Sequence, residues 1–137
     1  MKYNGVIEKK LRLLEKKIQE IESWNVEKLS QLKKSSMLNN AVERALQVSV
    51  EIMIDVTERI LALEQVPAID GAAGGIKELE KLGVLSKSAK YMDMVRFRNF
   101  IVHRYEYIDL DILFDIVSNK LHYFREFITE IHENKSK

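Results

Sequence analysis

The chain carries apolar residues at helical spacing from its beginning, with charged and polar residues between them. In the first stretch, from about residue 3 to residue 23, the apolar positions alternate in steps of four and three, which is typical of a helix with one packing seam. These positions are Ile7, Leu11, Leu14, Ile18 and Ile21. A second, longer stretch from Ser35 or Ser36 to Gln65 carries two apolar stripes. Two stripes predict a central helix that is packed on two sides.

Capping and turn-forming residues mark the helix boundaries in the rest of the chain, between the two stretches and after the second one. Asn25 is a candidate N-cap for a short helical continuation through Leu29 and Leu32. The segment 66–75 contains the one proline of the chain and several of its glycines, so it predicts a loop. Within it, Gly74-Gly75 could form a phosphate cradle. Because no strand precedes this pair and no Gly-Lys-Ser/Thr sequence follows, a flexible connector is the better prediction.

Three further helices follow from the rest of the pattern. A short helix is predicted over about 76–82, and Gly83 suits a left-handed C-terminal cap. Ser86 or Ser88 can cap the next helix, and Asp109 is a natural N-cap for a last long helix with a heptad seam. The sequence therefore predicts an all-α fold, an antiparallel up-and-down bundle of four to five helices.

Length and composition restrict the class of protein. With 137 residues the chain is long enough for one domain, residues 1–137, in which about 133–137 are expected to form a disordered tail. The absence of cysteine excludes disulfides, thiol nucleophiles and cysteine-bound zinc. No apolar run approaches the roughly 20 residues that span a bilayer, and no signal peptide begins the chain. These features predict a cytoplasmic protein with no membrane partner.

The charge balance limits how the protein could meet nucleic acid. A formal net charge of +1 is too small for a protein that coats nucleic acid without specificity, so any RNA contact needs a local basic patch. The first predicted helix offers one candidate, which is either an ordinary solvated surface or a surface that faces RNA. Its members are Lys9, Lys10, Arg12, Lys16 and Lys17.

One stretch, from Arg98 to Tyr105, places polar and titratable side chains where the helical pattern predicts apolar ones. Wound as a helix, the segment 91–105 has an apolar arc, and Arg98 falls near the middle of it. A guanidinium stays charged there, so it needs a carboxylate, a phosphate or a second chain as its partner. Asn99 and His103 are four residues apart and are therefore neighbours on another face of the same helix. This concentration of polar groups indicates a site.

The same residues carry a family resemblance. The segment R-N-x-x-V-H-x-Y, from Arg98 to Tyr105, resembles the R-x(4–6)-H signature of the HEPN superfamily, and in particular the HepT-like toxins, whose motif has the additional tyrosine. The segment Glu43-Arg44-Ala45-Leu46-Gln47 on the second long helix is also similar to that branch. The resemblance covers the chain from about Met37 onward. The first predicted helix is similar to that of the family only in being a helix.

The motif has the groups that metal-independent RNA cleavage requires. A base must take the 2′-hydroxyl proton, an acid must protonate the leaving 5′-oxygen, and a fixed positive charge must stabilise the phosphorane. His103 can serve as base or acid near neutral pH, Arg98 can hold the phosphate, and Asn99 can orient either group. One chain supplies one such histidine, so we expect a homodimer in which two motifs share a cleft. No metal or other cofactor enters this prediction.

The residues also permit simpler interpretations. Arg98 could pair with a buried carboxylate such as Asp55, and His103 could be a helix C-cap. On an ideal helix Arg98 and His103 lie about 140° apart. Acting together would therefore require an unwound helix end, a long reach by the arginine, or a site across a dimer. Glu51 and Asp55 are spaced to bind a hard cation, although surface charge is the simpler interpretation.

The resemblance implies a partner and a modification site. In HepT-like toxins the partner is a minimal nucleotidyltransferase antitoxin, which transfers AMP to the tyrosine of H-x-Y, here Tyr105. Arg104 departs from the small residue expected between the histidine and the tyrosine, and it could add a phosphate contact. The function implied is an endoribonuclease toxin with an RNA substrate. The alternative is a non-catalytic helical module that presents a nucleotide or protein substrate to a nucleotidyltransferase.

Overall fold

The computed structural model describes residues 5–67, 71–103 and 109–135, except for the side chains of 99–103 and 135. The described residues form seven helices and no strand: α1 (Gly5–Ser23), α2 (Leu29–Lys34), α3 (Ser36–Leu63), α4 (Gly71–Lys81), α5 (Ala89–His103), α6 (Leu110–Asn119) and α7 (Leu121–Lys135). The predicted all-α bundle is therefore confirmed.

The bundle is arranged around the long central helix α3, which contacts α1, α4 and α5. Its buried residues include Val42, Leu46, Val50 and Met53, in keeping with the two stripes seen in the sequence. The five seam positions of α1 are all buried in the same core. One contiguous core thus joins all the long helices.

Ion pairs between α7 and α1 show that these two helices run antiparallel. On α1, Arg125 contacts Glu22 and Glu15, whereas His132 lies near Glu8. The two helices thus pack in the up-and-down sense that the sequence predicted.

Several helix ends follow the local signals in the sequence. Ser35 caps α3, since its hydroxyl accepts a hydrogen bond from the Leu38 N–H. Asp109 caps α6 by accepting from the Asp111 N–H at 2.9 Å. Gly83 follows α4 with a φ of 79°, in the left-handed region where glycine costs least. α5 begins directly after Ser88, whose hydroxyl donates to Met92 Sδ at 3.7 Å, so a capping role for Ser88 stays a prediction. The predictions for Gly83 and Asp109 are confirmed.

The prediction that Asn25 caps the short second helix is wrong. α2 begins only at Leu29, and Asn25 lies in the turn before it with a φ of 50°. The cap is supplied instead by Gln31, whose side-chain oxygen accepts from the N–H groups of Glu27 and Lys28 at 2.7 and 2.8 Å. A glutamine that reaches back over the helix start thus replaces the usual short polar side chain.

The predicted loop over 66–75 is too long, because helix α4 already begins at Gly71. Gly74 and Gly75 are therefore helical and do not form a flexible connector. At Gly75 a Cβ atom would lie 3.3 Å from Thr57 Cγ2 and 3.4 Å from Leu61 Cδ1. The glycine is thus used for close packing of α4 on α3, which a search for turn residues does not reveal.

The last predicted helix is divided into two. α6 ends at Asn119, Lys120 interrupts the helical backbone, and α7 begins at Leu121. At the other end, α7 continues to Lys135 and the Asn134 side chain is buried. Helix therefore occupies the first part of the segment for which the sequence suggested a disordered tail, and residues 136–137 lie outside the described residues.

The basic residues of α1 lie on its surface. Lys9, Arg12 and Lys16 are exposed, whereas Lys10 pairs with Asp55 and Lys17 with Glu20. Part of the positive charge is thus neutralised within the protein. Among the described residues, no helix has the length and apolar character needed to cross a membrane.

Candidate active site

Helix α5, which ends in the polar motif, is held in the bundle by one apolar side. Tyr91, Met94, Val95 and Phe97 are buried, as the apolar arc predicted. The Tyr91 ring meets the Phe127 ring of α7 edge to face, with centroids 5.5 Å apart. The helix is thereby positioned one to two turns before the motif begins.

A carboxylate on α7 strengthens this attachment. The buried Tyr91 hydroxyl donates a hydrogen bond to Glu130, whose other oxygen accepts from the Ser86 N–H at 2.7 Å and from the Ser86 hydroxyl at 2.6 Å. Burial works to raise the pKa of Glu130, but these hydrogen bonds outweigh it and the pKa is lowered. Burial and the bond to Glu130 raise the pKa of Tyr91. The phenol therefore stays protonated and serves as a donor.

An ion pair between α5 and α7 lies one turn before Glu130 on α7. Lys90 Nζ is 2.6 Å from Glu126 Oε1, and the other oxygen of Glu126 is 2.5 Å from His122 Nδ1. The hydrogen bond from Lys90 is the largest of the effects that lower the pKa of Glu126. The side chains of His122 and His132 are 61% and 44% exposed and lie near Glu126 and Glu8. His122 thus contacts a carboxylate of its own helix at the surface, whereas His132 contacts one on α1.

Arg98 lies on the side of α5 that faces α3 and α4. Its side chain is half-buried, and its Nε is buried with no hydrogen-bond partner. It lines a pocket of about 560 Å³ together with residues of α3, of α4 and of the segment between them. A buried guanidinium N–H that lacks an acceptor is costly, so its presence favours a role in binding an anion or another acceptor.

The simpler interpretation of Arg98, a pairing with Asp55, is not what the structure shows. Asp55 accepts from Lys10 at 2.6 Å and from Arg59 at 3.2 Å. Burial acts to raise the pKa of Asp55, but these two cations lower it overall. Glu51 accepts from Gln47 at 3.5 Å. Among the residues that the structure describes, no group of three or more His, Asp or Glu side chains could hold a metal ion.

The other motif residues are described less fully. The backbone of Asn99 and His103 belongs to the last turns of α5, and their side chains lie outside the described part of the chain. Arg104 and Tyr105 also lie outside the described residues. The described backbone is helical as far as His103. The predicted helix end near His103 and the contacts of His103 with Arg98, its predicted partner in catalysis, stay predictions.

Comparison with known protein families decides the relationship. A family model described as ribonuclease HepT-like matches residues 14–131, which is most of the chain. The chain belongs to the HepT-like ribonuclease family. The resemblance seen in the motif is thereby confirmed, and it extends into the first helix. A comparison with curated proteins gave no match.

Solved structures of toxin–antitoxin complexes contain the same fold. The crystal structure of a toxin–antitoxin with AMP-PNP matches with 26% identity and a TM-score of 0.87, over 95% of this chain and 99% of the other. A tri-AMPylated HEPN toxin from Shewanella oneidensis, in complex with an MNT antitoxin, matches with 26% identity and a TM-score of 0.86, over 96% and 99%. By family this chain is HepT-like, and it shares the fold of the HEPN toxin in that complex; a ribonuclease role is consistent with both.

A more distant structure shows the fold alone. The cytosolic protein of unknown function YutE from Bacillus subtilis matches with 15% identity and a TM-score of 0.81, over 95% of this chain and 88% of the other. The same fold is thus compatible with extensive sequence change.

Two features of the site could not be found by searching for motifs. Glu130 is far from Tyr91 in sequence, and a glutamate in a regular helix gives no signal that it will meet a buried phenol. The pocket beside Arg98 depends on α4, whose first half was predicted to be a loop. The signal that could have revealed the first half of α4 is an apolar helical pattern that begins at Ala72 and Ala73, because both residues pack on the core.

Proposed function

We propose that this protein is the toxin of a toxin–antitoxin pair and a metal-independent endoribonuclease that acts in the cytoplasm. The observation that carries the proposal is the unpaired Arg98 Nε at a pocket, in a chain whose family is one of ribonucleases. A purely structural arginine would be expected to have a carboxylate partner.

In the proposed reaction, His103 accepts the proton of a ribose 2′-hydroxyl, and the resulting oxygen attacks the adjacent phosphorus. The bond from phosphorus to the 5′-oxygen breaks, and an acid returns a proton to that oxygen. Arg98 cannot exchange protons in this range, so its role is to bind the phosphate oxygens as their charge increases. Asn99 orients the imidazole or a phosphate oxygen. The products are a 2′,3′-cyclic phosphate and a 5′-hydroxyl.

A homodimer would complete the site, because base and acid ideally need two histidines. In a two-fold arrangement the two copies of His103 can share these steps within one cleft. Light scattering at micromolar concentration tests this point. A monomer that still cleaves RNA would show that one copy of the motif is sufficient.

Substitution of the two motif residues tests the proposed activity. Arg98→Ala and His103→Ala should each reduce RNA cleavage at least a hundredfold, in keeping with the usual cost of losing a charge-stabilising or acid–base group. Arg96→Ala is the matched control, since Arg96 is an exposed arginine of the same helix that pairs with Asp93 at 2.6 Å. It should cleave normally. Circular dichroism establishes that all three variants are folded. Cleavage that survives both motif substitutions would place the site elsewhere, and failure of the wild type to cleave any RNA would favour the non-catalytic module.

The chemistry of the products tests the mechanism separately. Cleavage should continue in EDTA, because a 2′-hydroxyl attack assisted by His103 and Arg98 requires no metal. Mass spectrometry of a short RNA should show 2′,3′-cyclic phosphate ends. Loss of activity on chelation, with recovery on addition of Mg²⁺, would instead indicate metal-assisted hydrolysis.

We also propose that a nucleotidyltransferase antitoxin neutralises the protein by adding AMP to Tyr105. The support is the tri-AMPylated state of the similar Shewanella oneidensis toxin, together with the position of Tyr105 two residues after His103. Tyr105→Phe should keep most of the cleavage activity but escape neutralisation. Intact-mass analysis after incubation with the antitoxin and ATP measures the modification. AMP found on Tyr107 instead, or full neutralisation without any AMP, would contradict this assignment.

A further inference from the structure

A pocket of about 560 Å³ lies where α3 and α4 meet the arginine of α5. This volume is within the range of sites that bind small organic ligands. Its wall is mostly aliphatic and is formed by Ile54, Leu61, Ala62, Val66, Pro67, Ala72 and Gly75. Such a wall favours the binding of a flat, weakly polar group, whose surface is removed from water when it binds.

Two charged side chains of opposite sign line this pocket, namely Arg98 and Glu58. Arg98 offers a buried N–H donor without an acceptor, whereas Glu58 is an exposed carboxylate that can only accept hydrogen bonds when ionised. The Thr57 hydroxyl also lines the pocket, but it already donates to the Met53 carbonyl at 2.9 Å. The pocket thus offers one donor and several acceptors around an apolar wall.

We propose that this pocket is a nucleobase subsite that holds a guanine of the RNA strand next to the phosphate that is cleaved. The proposal rests on the proposed ribonuclease function and deepens it by assigning a specificity determinant, Glu58. Arg98 connects the two sites, because it lines the pocket and is also the residue proposed to bind the phosphate.

Guanine fits the polar groups better than the other three bases do. Its N1–H and N2–H₂ form two adjacent donors that a carboxylate can accept together, and its O6 is an acceptor for Arg98. Adenine and cytosine present a single amino group next to a ring acceptor that a carboxylate repels, and uracil presents one N–H between two carbonyls. Discrimination between bases by such a paired contact corresponds to roughly tenfold or more. Unpaired, splayed-out bases are the usual targets of proteins that recognise RNA sequence.

Binding of free nucleotides tests the pocket without any need for cleavage. Guanosine 5′-monophosphate at millimolar concentration should shift the NMR signals of Thr57, Ala72 and Gly75, and it should bind about tenfold more tightly than the adenosine, cytidine and uridine monophosphates. Ala62→Leu should abolish these shifts by filling the mouth of the pocket. Because residue 62 is exposed on a helix, leucine there is compatible with folding. Ala89→Leu is the matched control at an exposed position outside the pocket, and it should bind like the wild type.

Cleavage specificity gives the second readout. Sequencing the products of a randomised RNA pool should show guanine enriched at one position beside the cleaved bond. Glu58→Gln should lower that enrichment about tenfold, because the amide replaces one acceptor by a donor. Glu51→Gln, which changes another exposed glutamate of α3, should leave the enrichment unchanged.

The outcomes separate this proposal from the proposed function. Guanine-selective binding that Ala62→Leu removes supports the subsite, even if the protein cleaves no RNA. Cleavage without base preference, together with equal or absent binding of the four nucleotides, overturns the subsite and leaves the ribonuclease function intact. Pocket signals that shift on addition of the antitoxin but not of any nucleotide also overturn it, since they would show that the pocket receives a protein segment.

Discussion

At the scale of single residues, the hydrogen bond from Tyr91 to Glu130 attaches the first turn of the motif helix to α7. The Tyr91 side chain is fully buried, so its hydroxyl needs a partner within the protein. Glu130 supplies that partner and is itself bound by the backbone and side chain of Ser86. One carboxylate therefore joins the segment before α5, the first turn of α5 and the middle of α7.

Removal of the hydroxyl in Tyr91→Phe should lower the free energy of unfolding by about 1–3 kcal/mol, the usual range for a buried hydrogen bond to a charged group. Urea unfolding measures the change. Tyr123→Phe, at a half-buried tyrosine of α7, should cost less. If the two variants are equally stable, the hydrogen bond to Glu130 contributes little.

Signals in the local sequence were sufficient to predict the structural role of some residues and insufficient to predict that of others. Gly83 and Asp109 act on the backbone within a few residues of themselves, so the sequence alone identified their roles. The partner of Tyr91 lies 39 residues away, and its identity depends on how two helices pack. The motif itself was found because Arg98 interrupts an apolar arc, which is again a local signal. The pocket that Arg98 lines is a product of tertiary packing, which no local pattern reveals.

At the scale of elements, the contact of α4 with α3 shapes the wall of the pocket beside Arg98. Gly75 brings the two helices together, since a Cβ there would come within 3.3 Å of Thr57. Helix α4 was the element least well predicted, because glycine is a poor helix former and its first half contains Gly71, Gly74 and Gly75. Tertiary packing outweighs this intrinsic preference.

Gly75→Leu should therefore destabilise the protein by about 1–3 kcal/mol or more through overpacking, and should change the pocket as α4 moves away from α3. Thermal unfolding and the NMR signals of α4 measure the two effects. Gly5→Leu is the control, because nothing lies within 4 Å of a Cβ at that position. An equal effect at both positions would show that packing at Gly75 is not tight.

At the scale of the whole molecule, carboxylates that pair across helices link stability to pH. The pKa values of Glu130, Glu126 and Glu22 are lowered in the folded protein, in Glu22 mainly by hydrogen bonds from Arg125. A group with a lowered folded-state pKa stabilises the fold above its unfolded pKa, and this contribution is lost as the pH falls through the folded value. Glu43 acts in the opposite direction, because burial raises its pKa.

The midpoint of thermal unfolding should therefore fall between about pH 5 and pH 3, as these carboxylates take up protons. Glu130→Gln should lower the midpoint at neutral pH and make its decrease in acid shallower. Glu27→Gln, an exposed position outside these ion pairs, should follow the wild-type curve. A Glu130→Gln curve parallel to that of the wild type would show that Glu130 does not contribute to the acid sensitivity.

The contacts made by α7 also bear on the order in which the fold forms during synthesis. Arg125 binds Glu15 and Glu22 on the first helix, and α5 depends on Glu126 and Glu130 for its polar attachment. Arg125, Glu126 and Glu130 all lie in α7, which follows α5 along the chain. We expect chains that are truncated after Lys120 to lose α5 rapidly to added protease, whereas chains that include α7 resist it. The motif helix is therefore held in place only after α7 has been translated.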